Sequence, residues 1–265
     1  MYSKFQLLNK YIRYKLQASN GKGHGVHSPF VFEFIQEVLN DDRTYYCYQQ
    51  IERLRERLKY DDRMLTIEDF GAGSRVNSHY QRSVSSIAKS ALKQKKFSQL
   101  LFRMVNHYHP ETILELGTSL GITTSYLAAA DNNAKVITME GASAVAAVAR
   151  KNFESLQLNN IHIEEGNFDL TLDQVLQSLP AIDFAFVDGN HRRDPTIAYY
   201  HKLLPKTNDQ SILIFDDVHW SREMEEAWEY IKAQPEVTLS IDLFFIGIIF
   251  FRKENKIKQD FTVRF

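Results

Sequence analysis

The run Ile113-Leu114-Glu115-Leu116-Gly117-Thr118-Ser119-Leu120-Gly121-Ile122-Thr123-Thr124 constrains the fold more than any other stretch. Apolar residues lead into an acid, one glycine permits a sharp turn, and a second opens a helix-like segment. A further apolar run from Lys135 to Met139 ends in Glu140. Strand, turn, helix and strand in this order make one βαβ unit, whose two strands lie parallel. The alternation continues. Apolar runs at 112–116, 135–139, 160–164, 182–187 and 211–215 are separated by helical stretches near 122–130, 142–156, 170–178, 194–203 and 221–233. This predicts an α/β fold with helices on both faces of a parallel sheet. Residues 237–241 and 245–251 then form two strands with a short connection, which requires an antiparallel pair at the sheet's end.

The chain before residue 97 reads differently. Phe5, Leu8, Ile12 and Leu16 recur at helical spacing, with Leu7, Tyr11 and Tyr14 widening the apolar face. Ser28-Pro29 predicts a helix start, with Ser28 as N-cap, ahead of an apolar face from Phe30 to Leu39. Helices are also expected at 51–58, 83–95 and 97–107. Residues 1–96 are therefore read as a helical N-terminal segment, a cap or dimerisation element, and residues 97–265 as the main domain. Up to Glu33 the chain carries five cations and no acid. The expected meaning is a helix with a solvated basic face; a membrane-surface or targeting helix is the alternative.

Composition narrows the field. The 265 residues are 44% hydrophobic and 25% charged, with a net charge of -1, which suits a substantial buried core. A near-neutral balance gives no support for nucleic-acid binding. The single Cys47 excludes an internal disulfide and any multi-cysteine zinc site, and fits a cytoplasmic protein. The most apolar run, Leu243 to Phe251, is too short to cross a bilayer of about 30 Å as a helix, so no membrane partner is expected.

The glycine spacing selects the ligand. Dinucleotide folds use G-x-G-x-x-G to admit a pyrophosphate. Here the pattern is E-x-G-x-x-x-G, and an acid before the turn would repel a pyrophosphate but suit a ligand with a positive amino group. Glu140 follows the second strand where an acid accepts both hydroxyls of a ribose. The pattern resembles class I S-adenosylmethionine-dependent methyltransferases from about residue 97 onward. That resemblance implies a Rossmann-like, seven-stranded mixed sheet ordered 3-2-1-4-5-7-6. It implies that Glu115, Gly117, Thr118 and Ser119 surround the methionine part, with Gly121 behind them. Glu140, with Gly141 beside it, would hold the ribose. Asn167 and Phe168, after Gly166, would hold the adenine, although many relatives have Asp-Ala there. A second acid-then-glycines run, Thr66 to Ser74, lacks a following strand that ends in an acid and is read as a loop near the site entrance.

Two further strands end in Asp188-Gly189-Asn190-His191 and in Asp216-Asp217-Val218-His219-Trp220. Three clustered carboxylates need a cation or protons to offset their repulsion, and oxygen ligands suit Mg²⁺ or Ca²⁺. Asp188, Asp216 and Asp217 are thus candidate metal ligands, as in the metal-dependent O-methyltransferases of catechols and caffeoyl esters that this arrangement resembles. The Asp-Gly-x-His form also resembles sugar and macrolide O-methyltransferases, in which this histidine is a candidate base. His191, with Asp188, is the candidate catalytic pair; Asp188 contacting the cofactor's amino group and Asp216 capping the next helix are the bland alternatives. His219 is expected to pack or hydrogen-bond, and Trp220 to wall a cavity. The resemblance implies methyl transfer from S-adenosylmethionine to a small molecule, at oxygen, with or without a divalent ion. A cofactor-binding regulator without transferase activity, and nitrogen as the acceptor, stay open, as does a homodimer through the N-terminal helices.

Overall fold

The computed structural model describes residues 1–19, 21–69 and 78–265. They form two compact units, one of Met1–Asp41 with Leu179–Phe265 and one of Asp42–Ser178. In the first, α1 (Lys4–Gln17) opens with a capping box in which Ser3 and Gln6 bond each other's backbone N–H groups. Helix α2 (Pro29–Glu33) runs into a π-helical stretch at Phe34–Leu39. Pro29 takes the first helical position as expected, but the Ser28 side chain makes no cap bond.

The second unit begins with α3 (Tyr48–Leu58), then a hairpin of β1 (Met64–Asp69) and β2 (Ser78–Ser83), then α4 (Val84–Ala91) and α5 (Lys95–Tyr108). Residues 66–69 are thus strand rather than the expected loop; the glycines at 71 and 73 lie outside the described residues. Three parallel strands follow, β3 (Thr112–Leu116), β4 (Lys135–Glu140) and β5 (Ile161–Glu165), with α6 (Ile122–Ala130), α7 (Ser143–Ser155) and α8 (Phe168–Gln177) after them in turn. Nearly all of α6 is buried, as expected of a helix apolar all round. Tyr48 of α3 stacks edge-on against Phe102 of α5 and Tyr126 of α6, at centroid distances of 5.1 and 5.5 Å, so this part of the N-terminal segment is core.

The chain returns to the first unit with β6 (Phe184–Val187), α9 (Arg193–Leu203), β7 (Ile212–Asp216), α10 (Arg222–Ala233), β8 (Leu239–Asp242), β9 (Ile246–Phe250) and β10 (Gln259–Thr262). β6 and β7 are parallel, β9 is antiparallel to both β7 and β8, and β10 lies parallel to β8. The fold is therefore α/β with mostly parallel, mixed strands, as expected. Strand order runs β5-β4-β3 in one unit and β6-β7-β9-β8 in the other, matching the expected 3-2-1 and 4-5-7-6 runs. An eighth strand, β10, lies outside β8, so the antiparallel pair is not the edge. Strands β6 to β9 are buried throughout, which is why they read as continuous apolar runs. Gly247 in β9 leaves room for the Trp228 ring, whose atoms would lie 2.6–2.8 Å from any Cβ there.

Candidate active site

The turn after β3 is built by left-handed backbone. Gly117, Ser119 and Gly121 have φ of 113°, 49° and 79°. The first of these turns the chain so that the N–H groups of Gly117 and Thr118 both donate to the Met139 carbonyl on β4, at 3.1 and 3.0 Å. Gly121 is the N-cap of α6, and a Cβ there would meet the Phe153 ring at 2.5 Å. Glu140, at the end of β4, accepts the Ser119 N–H at 2.8 Å and the Ala142 N–H at 3.0 Å. Burial pushes its carboxyl up, against the pull of these N–H groups and that of Gly141. Each carboxylate oxygen retains lone-pair capacity for a further donor. Gly166, with φ of 130°, donates its N–H to the Glu140 carbonyl. Asn167 caps α8 by accepting the Asp169 N–H, and Phe168 is half-buried at that helix's first position.

Behind the turn lies a chain of buried hydroxyls that pattern reasoning missed. Glu115 is fully buried, and its Oε2 accepts from Thr124 at 2.5 Å and Thr138 at 2.6 Å, while Thr118 and Thr138 hydroxyls lie 2.6 Å apart. The signal was two threonines in otherwise apolar, buried elements. Glu115 Oε1 and Ser119 Oγ are buried and have no hydrogen-bond partner among the described residues. Orphaned acceptors beside a glycine cradle and an anchored Glu140 fit a ligand that carries donor groups.

Burial raises the Glu115 pKa to about 7, with the two threonine hydroxyls opposing and the charge of Glu140 adding to the rise. The folded state therefore keeps a proton that the unfolded chain releases near pH 4.5, and stability falls as pH rises from there to about 7. Glu115→Gln removes that fall. Relative to the wild type, the variant is expected to gain up to about 3 kcal/mol in unfolding free energy between pH 4.5 and 8. Urea melts at the two pH values check this; parallel profiles would refute it.

The other unit holds the remaining candidates. The register of Val187 opposite Phe215 brings Asp188 and Asp216 to neighbouring strand ends. His191 Nε2 lies 3.5 Å from Asp188 Oδ1, in a turn where Asn190 and His191 have φ of 67° and 26°. Asn190 donates to the Tyr199 hydroxyl. Asp216 is buried, and Asp217 follows with φ of 53° and donates its N–H to the Phe245 carbonyl. The expected metal triad is not assembled: among the described residues no group of three or more His, Cys, Asp or Glu side chains is placed to hold an ion. Consecutive residues at a strand end point to different faces, and the left-handed turn at Asp217 starts at that point. Helix α10 is capped by Ser221, not Asp216. His219 bonds rather than merely packs: Nε2 meets Asp242 at 2.7 Å and Nδ1 meets Glu225 at 2.9 Å. Trp220 is half-buried, and its carbonyl accepts the Tyr2 N–H. Arg193 pairs with Asp194 at 2.7 Å.

Residues 114–218 match a family model described as a methyltransferase domain. No curated protein matches the chain by sequence. Solved structures share the fold. An O-methyltransferase from Bacillus cereus, in complex with S-adenosylhomocysteine, is 18% identical, covering 83% of this chain and 97% of its own, with a TM-score of 0.56. A methyltransferase from Podospora anserina, also bound to S-adenosylhomocysteine, is 12% identical, covering 96% and 98%, with a TM-score of 0.59. An O-methyltransferase of tomaymycin synthesis from Streptomyces achromogenes, bound to S-adenosylmethionine, is 16% identical, covering 61% and 82%, with a TM-score of 0.53. Residues 114–218 thus match a methyltransferase-domain model, and the fold is the one shared by these solved S-adenosylmethionine- and S-adenosylhomocysteine-bound methyltransferases.

Proposed function

We propose that this chain transfers a methyl group from S-adenosylmethionine to an oxygen of a small molecule. The observation that carries the reading is the anchored carboxylate of Glu140, held by two backbone N–H groups at the lip of a glycine turn. A carboxylate so placed can accept both hydroxyls of a ribose without moving. When bound, the cofactor supplies an electrophilic methyl group. Gly117, Thr118 and Ser119 line the turn for its amino-acid part, with Glu115 and the orphaned Ser119 hydroxyl beneath. Gly121 lets α6 pack close, Gly141 follows Glu140, and Asn167 and Phe168 at the start of α8 take the base. His191, oriented by Asp188, is the group that removes the acceptor's hydroxyl proton. The protein's remaining contribution is orientation and exclusion of water. The proposed transfer needs no metal step, and among the described residues no three His, Cys, Asp or Glu side chains are grouped to hold an ion.

Calorimetry tests this directly. S-adenosylmethionine is expected to bind and NAD is not. Glu140→Ala is expected to weaken S-adenosylmethionine binding at least about 100-fold, the loss of two charge-assisted hydrogen bonds to the ribose. His191→Ala is expected to abolish transfer to phenolic or sugar hydroxyls while leaving cofactor affinity intact. No heat with S-adenosylmethionine would sink the proposal.

A further inference from the structure

Helix α1 carries two apolar stripes, both at helical spacing. Tyr14 and Ala18 are buried against Phe244, with Leu7, Tyr11 and Phe245 packed around them. The other stripe, Phe5, Leu8, Ile12 and Leu16, is 71%, 53%, 48% and 78% exposed. It spans three helical turns, roughly 16 Å. At 100° per residue, Lys4 flanks it on one side and exposed Arg13 on the other. No Asp or Glu occurs before Glu33. The helix is not free to roll the stripe inward. Lys10 is ion-paired to Glu225 at 2.9 Å, and the Tyr14 hydroxyl donates to the Val263 carbonyl and accepts the Phe265 N–H.

We propose that this face of α1 rests on an anionic lipid surface. The stripe enters the boundary between headgroups and acyl chains, and Lys4 and Arg13 meet headgroup phosphates. No helix among the described residues is long and apolar enough to cross a membrane, so the contact is interfacial. Charge argues against a second copy as the occupant. A two-fold contact sets the same patch against itself, and α1 offers cations on both edges with no acid to pair them. Area argues the same way, because four side chains fall well short of the roughly 800 Å² per partner of a stable dimer. The proposal stands independently of the methyl-transfer reading.

Flotation of the full-length protein tests it, with vesicles of phosphatidylcholine plus phosphatidylserine and vesicles of phosphatidylcholine alone. The protein is expected to float with the first and not the second, and to be released by salt. Phe5→Ser with Leu16→Ser is expected to weaken binding about tenfold or more at an unchanged melting temperature, since both side chains are exposed. Lys4→Ala with Arg13→Ala is expected to weaken it at low salt and flatten the salt dependence. Failure to float with anionic vesicles, or unchanged binding by the serine variant, would overturn the proposal. So would a solution dimer that the serine variant disperses, which would assign the stripe to a second copy.

Discussion

Asp242→Ala is expected to lower the unfolding free energy by about 3–5 kcal/mol. Asp242 is buried at the end of β8, and its carboxylate serves three partners. Oδ2 takes His219 at 2.7 Å and the Trp228 indole N–H at 3.2 Å, while Oδ1 takes the Phe244 N–H at 2.8 Å. Alanine strands all three and leaves His219 stacked on Phe244 with only Glu225 to balance its charge. Glu225 is itself shared with Tyr2 and Lys10. Asp242→Asn keeps an acceptor for Phe244 and should lose less.

The pH profile identifies the cause. Burial alone would lower the His219 pKa, but the hydrogen bonds and charges of Asp242 and Glu225 reverse this and raise it. Burial alone would raise that of Asp242, but His219 and the Phe244 N–H lower it. Charged His219 contributes fully below its unfolded pKa of about 6.5, and the contribution fades as pH rises through the higher folded value. Asp242 contributes fully above about 4, fading as pH falls through its lower folded value. The pair is thus worth most between those two pH values. Urea melts from pH 4 to 9 should show wild-type stability declining above about 6.5, with a flatter decline in Asp242→Ala. A loss under about 1 kcal/mol with an unchanged profile would show that the network carries little.

How much of this was legible in the sequence depended on burial. Strands β3, β4, β6, β7 and β9 are covered on both faces and therefore spell apolar runs that are hard to mistake. β10 and β2 are polar, QDFT and SHYQRS, without the apolar run that marks a buried strand, and β10 pairs with β8 rather than with its neighbour in sequence, β9. Helix α1 shows a different limit. Residues 5, 8, 12 and 16 and residues 7, 11, 14 and 18 are equally good helical stripes. Periodicity merges them into one wide apolar face, and the fold packs only the second set, because Tyr11 and Tyr14 find Phe244 and Phe245. Aromatic area decided the matter, and the aliphatic stripe was left outside.

The site was legible where backbone chemistry dictates residue type. Gly117 and Gly121 have positive φ, and Glu140 answers the Ser119 N–H, so acid and glycines belong together. Side-chain networks assembled from distant positions were not. The His219 cluster draws on residues 2, 10, 225, 228 and 242, and no spacing rule connects them. The same holds for Thr124 and Thr138 around Glu115.

Gly121→Ala tests the glycine turn itself, with an expected cost of about 2–5 kcal/mol. Two costs add. An L-residue held at φ of 79° costs about 1–2 kcal/mol. The added Cβ would sit 2.5 and 2.7 Å from Phe153 ring atoms and 3.2 Å from the Ala149 Cβ, and overpacking of a core typically costs about 1–3 kcal/mol. Phe153 cannot easily yield, because it is buried among Ala146, Ala149 and Ile163. The two parts are separable. Phe153→Leu removes ring atoms from the contact and by itself costs on the order of 1 kcal/mol. In the double variant the clash is relieved but the backbone strain is not, so the alanine should cost only about 1–2 kcal/mol in the leucine background. The resulting coupling, measured by urea melts of the four proteins, should be favourable. If the costs simply add, Phe153 is not what reserves this position for glycine, and the left-handed N-cap of α6 alone does so.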